Sequence, residues 1–429
     1  MIATFSSLAI PNYRRYFAGA LTSNIGTWVG RTAISWLVLM ELTDGSASAL
    51  GFVTAIMFTP QLLLAAYAGS IADRFPKRRI LLVTQSVMAL DSVILAILVL
   101  TGHAELWMVY LLALNDGLAS TFDNPARQSF VSEVVPPGNL PNAIGLNSAS
   151  FNAARLLGPG IAGLLIELVG TGIAIAVDSL SYLVMLGCLA LLNRQELHPA
   201  AVVKGRGRTR EGLRYAWHRP DLMILLACGF AVGGLGFNYQ ISNAVMSTQF
   251  FDRGAGEYGI VGSAMGLGAL AAALWAAGRE RPRLRFVLVG MAGYVVFNLL
   301  SAFAPGFGWF VGWQIPVGFA TITVLVTANT MLQSATSPQM RGRVMALWGL
   351  MIFGITPLIS PLVGWLGDQV GPQATVLFGV FFVTLGLLII TWVIMRADRL
   401  RFSFDPHRTG WLRLERGSLS EEVDGGTAR

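Results

Sequence analysis

The chain has 429 residues, of which 54% are hydrophobic and only 12% charged, and its mean hydropathy is +0.61. Soluble domains carry about 25% charged residues, so this composition suits lipid rather than water and excludes disordered, collagen-like and disulfide-stapled classes. The formal net charge of +7 does not mark a nucleic-acid binder, because no basic stretch is interleaved with aromatic residues. Cys188 and Cys228 lie in apolar runs without zinc or redox spacing. His103, His198, His218 and His407 sit in loops or tails, so neither a metal nor a cofactor is expected. The absence of a G-x-x-x-x-G-K-[ST] loop argues against ATP-driven transport.

A helix needs about 20 apolar residues to cross a bilayer, and about twelve such stretches follow one another. Hydropathy predicts them at 15–40, 48–68, 80–101, 106–127, 143–169 and 171–193, then 221–248, 257–278, 286–304, 307–333, 343–369 and 373–396. Turn signals separate them, among them Asp44-Gly45 and Pro305-Gly306. Arg14 and Arg15 precede a full-length stretch, which reads as an uncleaved first helix. The widest interior break divides the stretches six and six. The expected organisation is a six-helix bundle over 1–193, a cytoplasmic central loop over 194–220, a second bundle over 221–396 and a flexible cytoplasmic tail over 397–429. Leu213, Tyr215 and Trp217 stand among basic residues in the central loop and predict a short interfacial helix. With the N-terminus in the cytoplasm, all Lys and Arg except Arg31, Arg155 and Arg253 fall on the cytoplasmic side. That bias predicts a multi-pass protein of the plasma (inner) membrane with both termini in the cytoplasm. The halves echo each other, since Gly163, Glu167 and Gly170 recur as Gly364, Asp368 and Gly371.

The loop after the second stretch runs from Gly69 through Asp73 and Arg74 to Lys77, Arg78 and Arg79. Gly69 lets two helices approach closely, and Asp73 can sit under a helix N-terminus. This loop resembles the major facilitator signature G-x-L-A-D-R-x-G-R-[RK]-[RK], with Ile71 for Leu and Pro76 for the second Gly. The resemblance implies that Gly69, Asp73, Arg74 and Arg78 form a latch. It would hold the halves in the outward-facing state, against the start of the eleventh helix near Arg343. In the fifth stretch, Ala154 to Gly163 looks like the superfamily's antiporter signature G-x-x-x-G-P-x-x-G-G, with Ala154 for the first Gly and Ile161 and Ala162 offsetting the last. There Gly158, Pro159 and Gly163 would form a bend associated with export against a proton gradient. The run from Asn124 to Val131, Leu140 to Ala143, Trp36 to Leu39 and Arg341 to Met345 resembles the secretion-effector and enterobactin-exporter branch. That resemblance covers nearly the whole chain before about residue 400. It implies an all-α fold of twelve transmembrane helices in two pseudo-symmetric six-helix bundles that rock around a central site. It also implies export of siderophores, macrolides or mixed drugs. One element departs: proton-coupled members carry an Arg about four residues before a Gly of the fourth helix, and counting back from Gly117 that slot is Ala113. Coupling therefore uses other residues or is not to protons.

An unpaired charge deep in a bilayer costs about 3 kcal/mol, which singles out Arg31, Asp91, Asp116 and Arg155 for proton coupling or substrate charge. Arg31 and Asp116 lie at matching depth, about 15 Å below the outer surface. They are expected to pair, either reversibly as Asp116 takes a proton or as a permanent structural pair, unless they never meet. Asp91 is a coupling group or a buried structural acid, and Arg155 is placed to meet an anionic substrate or a carboxylate. Glu167 and Asp178 read as anchors near the outer helix ends. Asn24, Trp28 and Ser35 share the face of Arg31, and Ser120 and Asp123 share that of Asp116. Tyr239, Asn243, Met246, Gln314 and Thr321 complete the expected cavity lining, the alternative being lipid or a neighbouring helix. The expected function is proton-coupled export of a small amphipathic compound such as a drug or siderophore, by a monomer. Its partners would be that substrate, protons and the bilayer. An importer, a receptor or scaffold, and a membrane enzyme are the rivals; the buried charges are too few and too mixed for the enzyme.

Overall fold

Lipid offers no partner to a backbone N–H or C=O, so apolar stretches of this length close their hydrogen bonds as helices. The computed structural model describes residues 3–198, 209–279, 282–398, 400–404 and 412–416. Spans 1 to 6 are Pro11–Trp36, Ala47–Arg74, Lys77–Leu100, Leu106–Val134, Leu140–Val169 and Thr171–Ala190. Span 7, Pro220–Phe250, is interrupted. Spans 8 to 10 are Ala255–Ala277, Leu284–Ala302 and Phe307–Ala335; span 11 is Pro338–Phe353 continued by Thr356–Val370, and span 12 is Pro372–Asp398. By length and hydropathy ten of these qualify as membrane-crossing among the described residues. Spans 1 and 4 fall short because they carry the polar groups described below.

The repeat seen in sequence is a repeat of packing. Span 4 packs on spans 2 and 3, and span 3 on span 6; in the second half span 10 packs on spans 8 and 9, and span 9 on span 12. Between the halves, span 5 meets span 8 and span 2 meets span 11. This is the expected architecture of twelve spans in two bundles.

Span 7 changes register in a π-helical turn at Phe230–Leu235 before helix resumes at Tyr239–Val245. A freed backbone carbonyl at the break is satisfied from the side: the Tyr294 hydroxyl donates to the Gly236 oxygen at 2.8 Å. The central loop contains the expected surface helix, Thr209–Trp217. Its Glu211 pairs with Arg343 at the start of span 11, 3.0 Å apart. Residues 199–208 of that loop lie outside the described residues. The described part of the tail is an antiparallel ribbon, Leu400–Phe404 with Leu412–Arg416. Leu400 to Phe404 alternate apolar and polar residues, as do Leu412 to Glu415, the period of a strand. The rest of the tail lies outside the described residues.

The bundle has a basic end, where the Lys- and Arg-rich loops lie, and an opposite end. The halves touch at the opposite end. A Cβ on Gly51 of span 2 would come within 2.5 Å of the Ser360 oxygen on span 11, and one on Gly163 of span 5 within 2.5 Å of the Ala255 oxygen on span 8. Further along, Phe58 stacks on Phe353 with centroids 6.2 Å apart. Near the basic end, Gly69, Gly145, Gly342 and Gly349 of spans 2, 5 and 11 have nothing within 4 Å of where a Cβ would be. Spans 2, 5 and 11 thus leave open space beside these glycines, in contrast to the close contacts at the opposite end.

Candidate functional site

Spans 1, 2, 3, 4 and 6 enclose a cavity of about 40 Å³ inside the first half, room for a few water molecules. Asp91 and Ser92 of span 3, Asp116 of span 4, and Asp178 and Tyr182 of span 6 line it. Asp91 accepts from the Asn115 amide at 2.8 and 3.0 Å. Asp178 accepts from the Ser92 hydroxyl at 3.2 Å through one oxygen, and its other oxygen, Oδ1, is sealed in without a partner. Arg31 of span 1 is the cation whose charge acts on Asp116 and Asp178. Ala113, the slot of the arginine absent from this chain, lines the same cavity.

The expected Arg31–Asp116 pair is not made: the two do not come within the 4.0 Å of an ion pair. Asp116 shares its chamber with two more carboxylates, while the Arg31 guanidinium lies 5.7 Å from the Trp28 ring centroid. Asp178, read in sequence as an anchor, belongs to the chamber instead. Depth along the helix was legible, but nothing in span 6 announced which neighbour it faces.

Asp123 is turned into the bundle rather than onto a wall between the halves. It accepts from Thr84 at 2.8 Å and Gln85 at 2.9 Å, and pairs with Arg127 at 2.7 Å. Ser120 closes on its own backbone at Gly117, 3.1 Å away. The stripe Asp116, Ser120, Asp123 is a true helix face, but Asp116 and Asp123 on it look toward span 3.

The second half holds the pseudo-equivalent cavity, about 10 Å³, among spans 7, 9, 10 and 12. Its lining includes Tyr239, Asn243, Tyr294, Asn298 and Gln314, with no ionisable carboxylate or base. Tyr239 hydrogen-bonds Thr321 at 2.8 Å, and Gln314 donates to Ser301 at 3.0 Å. Met246 is not there; it is fully buried in an apolar cluster with Val261 and Phe310. One half thus carries charge where the other carries amides and hydroxyls.

Between the halves lies Arg155 of span 5, 8% exposed. Its guanidinium carbon sits 5.8 Å from the Trp28 centroid in span 1 and 5.2 Å from that of Phe237 in span 7. Asn24 reaches Ser150 on span 5 at 3.2 Å. Ser35 bonds back to the Arg31 oxygen at 2.9 Å and is met by Tyr258 of span 8. The antiporter-like residues are packing points. Gly158 admits the Trp28 Cβ, and Pro159 and Gly163 lie against Gly259 of span 8.

Of the latch residues, Asp73 and Arg74 are exposed. Arg78 binds within its own half, donating to the Leu189 oxygen at 2.8 Å and the Ala190 oxygen at 3.3 Å. Two acids that sequence reading did not place at the junction close the opposite end. Asp368 of span 11 accepts from the first N–H groups of span 2, Ala47 at 2.7 Å and Ser48 at 2.9 Å. Glu167 of span 5 presses on the first turn of span 8, where a Cβ on Gly256 would meet its Oε2 at 2.0 Å. Both carboxylates sit where a helix dipole favours negative charge. The signal was the internal repeat itself: each half contributes a glycine four residues before the acid and another three after it. The last of these, Gly170 and Gly371, take φ of +88° and +120°, open to glycine without strain.

Known transporters resemble this chain over most of its length. The chain is 27% identical over 398 residues to the multidrug efflux pump Tap of Mycolicibacterium fortuitum, covering 89% of this chain and 94% of that one. It is 24% identical over 406 residues to the staphyloferrin A transporter of Staphylococcus aureus, covering 91% and 98%. In fold it matches a bacterial homolog of the human lysosomal transporter Spinster, crystallised inward-facing and unoccupied. The TM-score is 0.66 at 15% identity, over 91% of this chain and 97% of that one. Residues 2–405 match the family model described as transmembrane secretion effector. The chain belongs to that family of major facilitator proteins and is a membrane transporter, not an enzyme.

Proposed function

We propose that this chain exports small amphipathic compounds across the cytoplasmic membrane in exchange for protons, with the basic end and both termini in the cytoplasm. In that orientation the structure is the inward-facing state, which accords with a free Asp73 and a seam closed by Asp368 and Glu167. Gly69, Asp73 and Arg74 would engage span 11 in the other state. The likeness to a multidrug efflux pump and a staphyloferrin A transporter supports substrates of comparable bulk.

The acid chamber carries the reading. Asp91, Asp116 and Asp178 face it from spans 3, 4 and 6, with Tyr182 beside them; Arg31 of span 1 is their cation, and Asp123 is already held by Arg127. Three carboxylates around one small chamber repel one another, and one arginine balances only one of them. Protons supply the rest, and the family's extra arginine is replaced by Ala113. Arg31 shares the Trp28 ring with Arg155, so protonation of the chamber is relayed to the space between the halves through one side chain. The uncharged chamber of the second half supports a division of labour, with charge carried by the first half alone.

The test is transport in proteoliposomes under an imposed pH gradient, with ethidium and 1-naphthalenesulfonate as cargo. A gradient is expected to drive accumulation of at least one. Asp116→Asn is expected to abolish that accumulation while leaving exchange of labelled for unlabelled cargo intact. Accumulation that ignores the pH gradient would refute proton coupling, and binding without any movement would refute transport.

A further inference from the structure

Lys77, Asp91, Asp123, Glu133, Arg155 and Asp178 are the buried charged side chains among the described residues. Lys77 pairs with Glu133 at 2.8 Å. Asp123, Asp91 and Asp178 have the partners given above. Arg155 has neither an ion pair nor a hydrogen-bond acceptor among the described residues, only the faces of Trp28 and Phe237. Ring faces attract a cation but leave all five N–H donors of the guanidinium unused. A fork of donors held between rings matches a planar or tetrahedral oxyanion in a bidentate pose.

The setting limits what such an anion is attached to. Phe151 packs edge-on against Trp28, with centroids 6.2 Å apart, and Phe237 packs edge-on against Tyr239 at 5.2 Å. Trp28 and Phe151 belong to the first half, Phe237 and Tyr239 to the second. A ligand whose oxyanion meets Arg155 therefore has aromatic surface from both halves within reach of its body, so its binding biases the rocking equilibrium wherever the two states hold it differently.

We propose that Arg155 is the recognition residue for the anionic head group of an aromatic organic anion, seated between Trp28 and Phe237. This rests on the transporter reading for its physiological meaning and narrows the cargo to amphipathic anions.

The test is equilibrium binding to the purified full-length chain. The probe is 1-naphthalenesulfonate, compared with 1-naphthalenesulfonamide, a neutral compound of nearly the same shape. The sulfonate is expected to bind saturably and about tenfold more tightly than the sulfonamide. Arg155→Gln is expected to erase that preference, weakening sulfonate binding about tenfold relative to sulfonamide binding. Arg155→Lys, which keeps the charge and loses the fork, should retain part of it. Equal affinity for the two probes, or no saturable sulfonate binding, overturns the proposal without any variant, so a misfolded Arg155→Gln protein leaves it testable. Gradient-driven ethidium movement with no sulfonate preference would sink this inference and leave the exporter standing. Sulfonate preference with no gradient-driven movement of either compound would do the reverse.

Discussion

Replacing Asp368 with Ala removes the acceptor of two backbone N–H groups at the start of span 2, held at 2.7 and 2.9 Å. These bonds join the two halves, so their loss favours the state in which the halves separate at that end. A lost helix cap costs about 0.5–2 kcal/mol, and the charge at the helix N-terminus adds about 0.3–1 kcal/mol. Asp368 is exposed, so water takes over part of its role, and the net bias is about 1–2 kcal/mol. That is roughly a 5- to 30-fold change in population. Ser360 reports it well: it is 0% exposed and its backbone lies against Gly51 across the seam. With Cys188 and Cys228 replaced by Ala, maleimide labelling of Ser360→Cys in detergent is expected to quicken by that factor in Asp368→Ala. Asp368→Asn keeps one carbonyl acceptor and should fall between. An unchanged labelling rate in a folded Asp368→Ala protein would show that the cap does not hold the seam, and the argument would fail.

Gly364→Ala sets a Cβ 2.3 Å from the Ala47 oxygen. Backbone on both sides cannot yield, so overpacking of about 1–3 kcal/mol should quicken the same labelling at least as much; slower labelling would contradict the contact. Asp123→Ala strands Arg127, whose Nη1 already lacks a partner. It should cost about 3–5 kcal/mol in thermal unfolding, with Asp123→Asn costing less; near-wild-type stability for both would count against the network. Arg343→Ala breaks the half-exposed Glu211 pair and should change stability by under about 1 kcal/mol, read in the same unfolding experiment. Asp178→Asn should weaken pH-gradient-driven accumulation as Asp116→Asn does, and full accumulation in both variants would remove the chamber from the mechanism.

The spans were legible because hydropathy is a property of consecutive residues, and lipid imposes one solution on them. The halves were legible from Gly163, Glu167 and Gly170 and their repeat. Direction around a helix was not. Asp116 and Asp123 share a face by helical period, yet that face could look toward the other half or toward span 3, and polar residues suit both. Met246 illustrates the same gap: its place in the stripe with Tyr239 and Asn243 was right in period, but the α-helix gives way to a π-helical turn at Met246–Phe250 and its side chain ends among Phe310 and Val261. Arg31 and Asp116 matched in depth, but depth does not reveal that Asp178 shares the same space.

Beside its two carboxylates, the seam at the opposite end brings carbonyl oxygens and Cα atoms of the two halves into direct contact at Gly51, Gly163, Gly259 and Gly364. A molecule that wedged into it would grip features common to every substituted version of the protein. Escape by point mutation would require adding bulk where Gly51, Gly163, Gly259 and Gly364 leave none, so resistance to such a wedge would come at the expense of closing the transporter at all.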